Sequence, residues 1–235
     1  MKAFLLAAGH GTRLRPITDK LPKCLVPIRG VPLLSIWLNM CRRFGIDEVL
    51  INVHAHAPTV SDFLQQNGDG TKTRVVEERE LLGSAGTLRD NRDWVASDDL
   101  FWIFYADVLC RTNLHDMLQQ HRRIKPLATL GVYEVLDPTR CGIVSTDKDG
   151  MIQQFVEKPT RPSSNLAFSG LMIGTPAMLE LIPNKRPADI GFDLLPRLIG
   201  RMLAYRINDY LVDIGTMENY LFAQETWPES MVASD

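Results

Sequence analysis

Short apolar runs recur along the first half of the chain, and segments with helical spacing of apolar residues separate them. Apolar runs bounded by glycine or polar residues are typical of buried strands. They predict strands at 2–7, 48–53, 73–77 and 100–105. Apolar residues three or four positions apart predict helices at 33–44 and 60–66. Strands that alternate with helices favour a doubly wound, mainly parallel sheet in a three-layer α/β/α arrangement.

The second half has a different pattern, because strands follow one another with little helix between them. They are predicted at 128–135, 142–146, 152–157 and 167–173. DKDG at 147–150 predicts a hairpin turn, and Asn67 to Gly70 predicts a turn in the first half. Helices are predicted at 176–182, 193–201 and 217–225. The fold class is therefore α/β, with a Rossmann-like mixed sheet that has an antiparallel extension in its second half.

Composition and charge narrow the classes of partner. The 235 residues carry a net charge of -2, so no overall positive field attracts nucleic acid or an anionic membrane. No apolar run reaches the roughly 18 residues that would indicate a membrane-spanning helix. The four cysteines are scattered without a CxxC pair, which favours reduced thiols and a cytoplasmic location.

The candidate chemistry begins where the first strand ends, in a long loop from residue 8 to residue 23. Gly9 and Gly11 leave backbone N–H groups open to close approach, as phosphate oxygens require. Leu14 stands where the dinucleotide fingerprint has its third glycine, and the P-loop pattern is absent. The loop therefore predicts another kind of phosphate site, with Arg13 as a bidentate clamp and Lys23 as a point charge. The alternative is a plain tight turn.

A family resemblance extends this interpretation. GHGTRLRPITDKLPK at 9–23 closely resembles the signature GxGTRxxPxTxxxPK of sugar-phosphate nucleotidyltransferases. Further motifs follow in family order: ELLGSAGTL at 80–88, YAD at 105–107, CGIV at 141–144, EKP at 157–159 and DIGT at 213–216. The resemblance covers residue 1 to about residue 225. Ala106 replaces the usual glycine before the aspartate, and Ser169 stands where many relatives have Asn or Ala, which bears on sugar recognition.

The resemblance implies a reaction and a role for each matching residue. A sugar 1-phosphate oxygen attacks the α-phosphate of a nucleoside triphosphate, and pyrophosphate leaves. Arg13, Lys23 and Asp107 would be catalytic, and Asp107 with Asp213 would hold Mg²⁺. The nucleotide would be bound by Leu6, Ala7, Ala8, Gly9, Gly11, Thr12, Arg13, Lys23, Glu80, Gly83, Ser84, Gly86 and Thr87. The sugar phosphate would be bound by Gly142, Glu157, Lys158, Ser169, Gly170 and Thr216.

The same resemblance predicts the domain organisation. One nucleotidyltransferase domain would cover 1–225, with a nucleotide-binding half at about 1–110, a sugar-binding half at about 111–225 and a tail at 226–235. The chain lacks the hexapeptide repeats that some relatives append, so we expect no acyltransferase activity. Apolar residues between 176 and 205 leave a homodimer open, although core packing explains them equally well.

For several single residues, a structural or surface role is an alternative to a functional one. Asp107 alone would be a solvated loop residue, Asp213 could cap the last helix, and Lys158 could be loop surface. His54 and His56 have no nearby third ligand in the sequence, so we interpret them as a loop at the end of a strand rather than a zinc site.

Several functions also compete for the whole chain. The motif combination favours GTP with a mannose- or heptose-type sugar 1-phosphate. Uridylyl or thymidylyl transfer to a hexose or N-acetylmuramate 1-phosphate, and choline-phosphate cytidylyl transfer, stay open. A silent regulatory paralogue that binds a nucleotide sugar is disfavoured, because both carboxylates and the cations are present. An NAD-dependent oxidoreductase is disfavoured by the missing third glycine.

Overall fold

The computed structural model describes residues 1–67 and 70–228, and it contains thirteen strands and six α-helices within those residues. The strands are β1 Lys2–Leu6, β2 Pro27–Ile28, β3 Val31–Pro32, β4 Glu48–Val53, β5 Lys72–Glu77, β6 Phe101–Tyr105, β7 Val108–Cys110, β8 Ala128–Glu134, β9 Gly142–Thr146, β10 Ile152–Glu157, β11 Leu166–Gly174, β12 Met202–Arg206 and β13 Leu211–Asp213. The helices are α1 Leu33–Arg43, α2 Ala57–Gln66, α3 Ser84–Asp90, α4 Leu114–Ile124, α5 Pro176–Leu179 and α6 Met217–Thr226. Across the described ranges, no helix has the length and hydropathy needed to span a membrane.

The chain forms two compact units that are not contiguous in sequence. The first contains Met1–Leu81, Phe104–Arg111 and the described residues from Tyr210 onward, and the second contains Leu82–Ile103 and Thr112–Asp209. These boundaries do not follow the predicted division near residue 110, since 82–103 belongs to the second unit and 210–228 to the first. The predicted turn at 67–70 and tail at 226–235 lie partly outside the described residues.

The first unit carries a parallel sheet. β1 pairs with β4 and β4 with β5, both parallel, in a register that aligns Lys2 with Glu48 and Glu48 with Lys72. β4 is buried from Val49 to Val53, as its continuous apolar run predicts. A separate two-stranded ladder joins β13 to β7 in antiparallel register. Parallel strands bring their carboxyl ends to one edge, which is where the loop after β1 begins.

Helix α1 illustrates how local sequence sets an element. Its buried face, from Leu34 through Trp37 and Leu38 to Cys41, has the three- and four-residue spacing of an amphipathic helix. The helix ends before Gly45, whose φ of 67° suits glycine, and the N–H of Ile46 then donates to the carbonyl of Cys41 at 2.9 Å.

The second unit is mainly antiparallel. β9 pairs with β10, and β11 pairs with both β8 and β9, all in antiparallel register, whereas β12 runs parallel to its partner β8. The α/β class with a mixed sheet is thus confirmed. Two predicted helices are shorter than expected. α5 is a single turn, and 190–198 forms one π-helical turn, Ile190–Leu194, followed by the 3₁₀ turn Leu195–Leu198, because Pro196 interrupts the α-helical ladder.

Candidate active site

The loop after β1 folds into three successive 3₁₀ turns, Thr12–Leu14, Ile17–Asp19 and Lys23–Leu25. Gly11 has a φ of 64°, and a Cβ there would lie 2.9 Å from Cγ2 of Thr18, so only glycine fits without displacement. The Thr18 hydroxyl donates to the Gly11 carbonyl at 2.8 Å. A Cβ on Gly9, by contrast, would meet nothing within 4 Å. Gly11 therefore shapes the loop, whereas Gly9 leaves open backbone.

Leu14 explains why the dinucleotide fingerprint fails. Its side chain is fully buried, and its N–H closes the first 3₁₀ turn on the Gly11 carbonyl at 2.9 Å. A glycine here would remove this core packing. In a dinucleotide-binding fold, the third glycine instead allows a helix to pack closely on the strand, so Leu14 has a different role.

A buried polar pair holds the start of this loop. Oδ1 of Asn52 accepts from the N–H of Ala7 at 2.8 Å, and Nδ2 of Asn52 donates to Oε1 of Glu78 at 2.8 Å. The carbonyl of Leu6 accepts from the N–H of Ala106 at 3.0 Å. Two backbone groups that were predicted to contact the nucleotide are thus already used within the protein. Neither Asn52, in β4, nor Glu78, just after β5, was predicted from the sequence, since a single buried amide or carboxylate has no local signature.

The catalytic candidates meet in the first unit because of strand register. Asp213 ends β13 and pairs with Val108, the first residue of β7, which directly follows Asp107. The N–H of Ile214 also donates to the carbonyl of Asp107 at 2.9 Å. Nζ of Lys23 lies 2.5 Å from Oδ2 of Asp107, with the lysine side chain only 11% exposed. Residues separated by 84 and more positions therefore form one charged cluster.

Gly215 packs against the same cluster. A Cβ on Gly215 would lie 2.6 Å from Oδ1 of Asp213, 2.9 Å from Nη2 of Arg13 and 3.3 Å from Nζ of Lys23. The Gly215 N–H donates to Oδ1 of Asp213 at 2.6 Å. All four predicted charged residues, Arg13, Lys23, Asp107 and Asp213, therefore surround one small volume.

The electrostatics of this cluster favour an added cation. Desolvation and then the charge of Asp107 raise the pKa of Asp213, while Lys23, the Gly215 N–H and Arg13 lower it. The carboxylates of Asp107 and Asp213 supply the hard oxygen donors that Mg²⁺ prefers. No group of three or more acidic, histidine or cysteine side chains suited to a metal occurs in the described part of the chain. Two carboxylates with water and phosphate oxygens match the usual Mg²⁺ sphere, so the residues fit this ion.

The GSAG segment at 83–86 belongs to the second unit, where it packs against the backbone of Ala188. The N–H groups of Ala85 and Gly86 both donate to the Ala188 carbonyl at 3.0 Å. Gly83 has a φ of 78°, and a Cβ there would overlap the Ala188 carbonyl oxygen. Thr87 is buried, and its hydroxyl donates to the Gly83 carbonyl at 3.2 Å. These glycines therefore have a structural reason to be small, and their predicted contact with nucleotide stays a prediction.

The sugar-phosphate candidates Glu157 and Lys158 lie at the end of β10, with the lysine Nζ 4.0 Å from Oε1 of Glu157. Burial and then the charge of Asp189 raise the pKa of Glu157, and Lys158 opposes this rise. A Cβ on Gly142 would lie 2.6 Å from Oε2 of Glu157, and one on Gly191 would touch the same oxygen. Both glycines make room for this carboxylate. Asp189 and Gly191 were not predicted, because no motif marks them.

The remaining candidates occupy varied positions. Glu80, Thr12 and Arg13 are exposed in the first unit, whereas Ala8 is buried. Ser169 in the second unit is 3% exposed, and its hydroxyl accepts from the N–H of Leu171 at 3.2 Å. Gly170, with a φ of 83°, lies where the register of β11 with β8 shifts.

The N-terminus of the last helix decides whether Asp213 is a helix cap. Thr216, in the first unit, is the N-cap of α6, and its hydroxyl accepts from the N–H of Asn219 at 3.3 Å. The interpretation of Asp213 as the helix cap is therefore wrong, because Thr216 caps the helix. Nδ1 of His54 donates to the Glu78 carbonyl at 2.7 Å, and the His54 ring lies edge-on to His10 with centroids 5.1 Å apart.

Comparison with known proteins adds family and fold. The sequence model of the family described as nucleotidyl transferase matches residues 2–230. The mannose-1-phosphate guanylyltransferase catalytic subunit beta of Xenopus tropicalis is 32% identical over 227 residues, which cover 94% of this chain and 63% of that protein. The UTP–glucose-1-phosphate uridylyltransferase of Synechocystis is 32% identical over 241 residues, covering 94% of this chain and 61% of that protein. The chain thus spans under two thirds of the length of these relatives.

A solved structure shares the fold across nearly the whole chain. HddC from Yersinia pseudotuberculosis, complexed with GMP-PN, superposes with a TM-score of 0.82 at 24% identity, and the match covers 97% of this chain and 99% of that one. At this identity the likeness concerns the fold.

Proposed function

Since the chain belongs to the nucleotidyl transferase family, we propose that it transfers a nucleotidyl group from a nucleoside triphosphate to a sugar 1-phosphate. GTP and a mannose- or heptose-type sugar 1-phosphate are the favoured substrates. The observation that carries the proposal is the convergence of Arg13, Lys23, Asp107 and Asp213 on one volume beside Gly215. The guanylyltransferase relative, 32% identical, supports the choice of nucleotide.

The proposed reaction is a direct displacement. A phosphate oxygen of the sugar 1-phosphate forms a bond to the α-phosphorus, and the bond from that phosphorus to the bridging oxygen of the β-phosphate breaks. The electron pair of the broken bond leaves with pyrophosphate, so no protein nucleophile is needed. Catalysis then consists of positioning and of neutralising charge.

Each charged residue of the cluster has a role in this scheme. Lys23 neutralises the α-phosphate as negative charge grows there, and Arg13 binds the triphosphate and the departing pyrophosphate through its planar guanidinium. The open backbone at Gly9 allows phosphate oxygens to approach N–H groups of the loop. Asp107 and Asp213 would hold Mg²⁺. When bound, this ion supplies charge stabilisation to the phosphate oxygens.

The second unit would bind the sugar phosphate. Lys158 is 58% exposed, so its ammonium is available to a phosphate, and Glu157 accepts hydrogen bonds from sugar hydroxyls. Nζ of Lys158 lies over the ring of Phe192, 5.7 Å from its centroid, in a cation–π contact.

Uridylyl transfer to a hexose 1-phosphate is the second candidate, because the Synechocystis uridylyltransferase matches at the same 32% identity. Thymidylyl transfer and an N-acetylmuramate 1-phosphate acceptor remain variants of it. A cytoplasmic location belongs to the same proposal, since nucleoside triphosphates are cytoplasmic substrates and the buried thiols of Cys24 and Cys110 are outside any disulfide bond.

A substrate grid tests the proposal. Five nucleoside triphosphates are combined with a dozen sugar 1-phosphates and phosphocholine, with Mg²⁺, and pyrophosphate release is measured. We expect turnover with GTP and a mannose- or heptose-type acceptor. Turnover with UTP or dTTP alone would replace the favoured substrates by the second candidate, and no turnover with any pair would refute the function.

A further inference from the structure

The hydroxyl of Ser84 is bound to a segment of the second unit that the family motifs do not include. Its Oγ donates to Oδ2 of Asp189 at 2.9 Å and accepts from the N–H of Ile190 at 2.8 Å. The N–H of Ala188 donates to the carbonyl of Leu82 at 2.9 Å, on the other side of Gly83. A serine hydroxyl has one proton to donate, and Ser84 donates it in the hydrogen bond to Asp189. Ser84 therefore has no donor left for a nucleotide.

Asp189 connects this segment to the carboxylate of Glu157. Its Oδ1 accepts from the N–H of Phe192 at 3.0 Å, and a Cβ on Gly191 would lie 3.3 Å from this oxygen. The same Cβ would touch Oε2 of Glu157. The two carboxylates therefore both adjoin Gly191, whose missing side chain makes room for the carboxylate of Glu157.

The backbone of Asp189 is held by neighbouring groups, and the side chains of Asp189 and Glu157 both belong to partly exposed residues. The backbone N–H of Asp189 donates to Oδ2 of Asp193 at 2.8 Å, and Asp193 pairs with Nζ of Lys185 at 2.7 Å. Nζ of Lys158 lies 4.0 Å from Oε1 of Glu157. Two neighbouring carboxylates can accept hydrogen bonds from hydroxyls on neighbouring carbons, and each carboxylate retains unused lone pairs for this.

We propose that Asp189, together with Glu157, determines which sugar hydroxyl pattern is accepted, and that Ser84 is a positioning residue which orients Asp189. The inference rests on the proposed function, because it concerns the sugar side of that reaction. It differs from the role that the family resemblance gives to Ser84, which is contact with the nucleotide.

Steady-state kinetics separate the two roles of Ser84. Ser84→Ala removes the hydroxyl, and Ser84→Thr keeps it. KM is measured for each substrate with GTP and mannose 1-phosphate, or with the best pair from the substrate grid. We expect Ser84→Ala to raise KM for the sugar 1-phosphate on the order of tenfold, as loss of a hydrogen bond to a charged group allows, with KM for the nucleotide unchanged. Ser84→Thr should restore the wild-type value.

Ser164→Ala is the matched control. Ser164 lies in the same unit, and its hydroxyl donates to the Val144 carbonyl, so the variant loses an equivalent hydrogen bond away from the pair. Both KM values should stay at the wild-type level in this variant.

Asp189→Asn tests the carboxylate itself. The amide keeps the volume and can still accept from the N–H of Phe192, so folding should be retained. With 2-deoxy and 3-deoxy analogues of the acceptor, wild-type protein should lose affinity when the recognised hydroxyl is missing. Asp189→Asn should be insensitive to the same deletion, as a double-mutant cycle between residue and hydroxyl requires.

The outcomes are distinct. A rise of KM for the nucleotide in Ser84→Ala, or unchanged KM values in both Ser84→Ala and Asp189→Asn, would overturn the inference and leave the function standing. Equal losses in Ser84→Ala and Ser164→Ala would also overturn it, because the effect would then be general loosening of the unit. Absence of turnover by wild-type protein with every pair would overturn the function and this inference together.

Discussion

Gly215 offers a sharp test of the charged cluster, because a single added methyl group reaches three of its members. The Cβ of Gly215→Ala would lie 2.6 Å from Oδ1 of Asp213, 2.9 Å from Nη2 of Arg13 and 3.3 Å from Nζ of Lys23. The shortest of these is about 0.8 Å inside an ordinary contact of 3.4 Å. The charged groups must therefore move apart by several tenths of an ångström.

We expect Gly215→Ala to lower the catalytic rate rather than the stability. A misplacement near 1 Å in a positioned site costs about 100-fold in rate, or about 2.7 kcal/mol in activation free energy. Stability should change by no more than about 1 kcal/mol, since the side chains of Asp107 and Asp213 are partly open to solvent and can shift. Pyrophosphate release measures kcat, and thermal unfolding measures stability.

Gly30→Ala provides the opposite control in the same unit. Gly30 has a φ of 85° in the turn between β2 and β3, and its added Cβ would meet nothing within 4 Å. The variant should lose about 1 kcal/mol of stability through backbone strain and keep full activity. The reasoning is refuted if Gly215→Ala retains wild-type kcat, or if its activity loss tracks an unfolding loss larger than that of Gly30→Ala.

Three further predictions concern other parts of the molecule. Lys23→Ala should lower kcat by about 10²–10³-fold, because one charge-stabilising donor is lost; pyrophosphate release at saturating substrate measures this. Since the pKa of Glu157 is raised, its carboxylate takes up a proton at a higher pH than an ordinary glutamate does, so KM for the sugar 1-phosphate should rise as pH falls through that range. Glu157→Gln should remove this pH dependence, and a persistent pH effect on KM would contradict it. Gly83→Ala should destabilise the protein by about 3 kcal/mol, well beyond Gly30→Ala, because its Cβ overlaps the Ala188 carbonyl; chemical denaturation decides the order.

The pattern of apolar residues predicted most of the strands, because each of these buried strands is a short continuous run of apolar residues in the sequence. β4, β9 and β10 have the predicted bounds, and β1 is shorter by one residue. The helix α4 was not predicted, since its polar face carries many charges and its apolar positions Leu114, Met117 and Leu118 are few. β7 and β13 have three residues each, so no periodicity can identify them; only their pairing across a hundred positions makes them strands.

The site was predictable to the extent that its residues carry a motif. Arg13, Lys23, Asp107 and Asp213 were assigned from the family resemblance, and the structure brings their side chains together. The glycines of GSAG were interpreted through ligand approach, although backbone packing on Ala188 already requires Gly83 to be small. Sequence spacing alone does not distinguish a glycine that faces a ligand from one that faces a carbonyl of its own chain.

The discontinuous first unit has a consequence for synthesis on the ribosome. Asp213 and α6 are made more than a hundred residues after Asp107, and Gln224 of α6 bonds back to the carbonyl of Pro27 at 2.6 Å and to the N–H of Arg29 at 2.7 Å. A nascent chain that has emerged only to residue 209 holds one carboxylate of the pair and lacks the helix that anchors the β2–β3 turn. Nucleotide added to stalled ribosome complexes should therefore bind only after residues beyond 213 have left the exit tunnel, so ligand capture would wait until the last segment of the first unit has emerged.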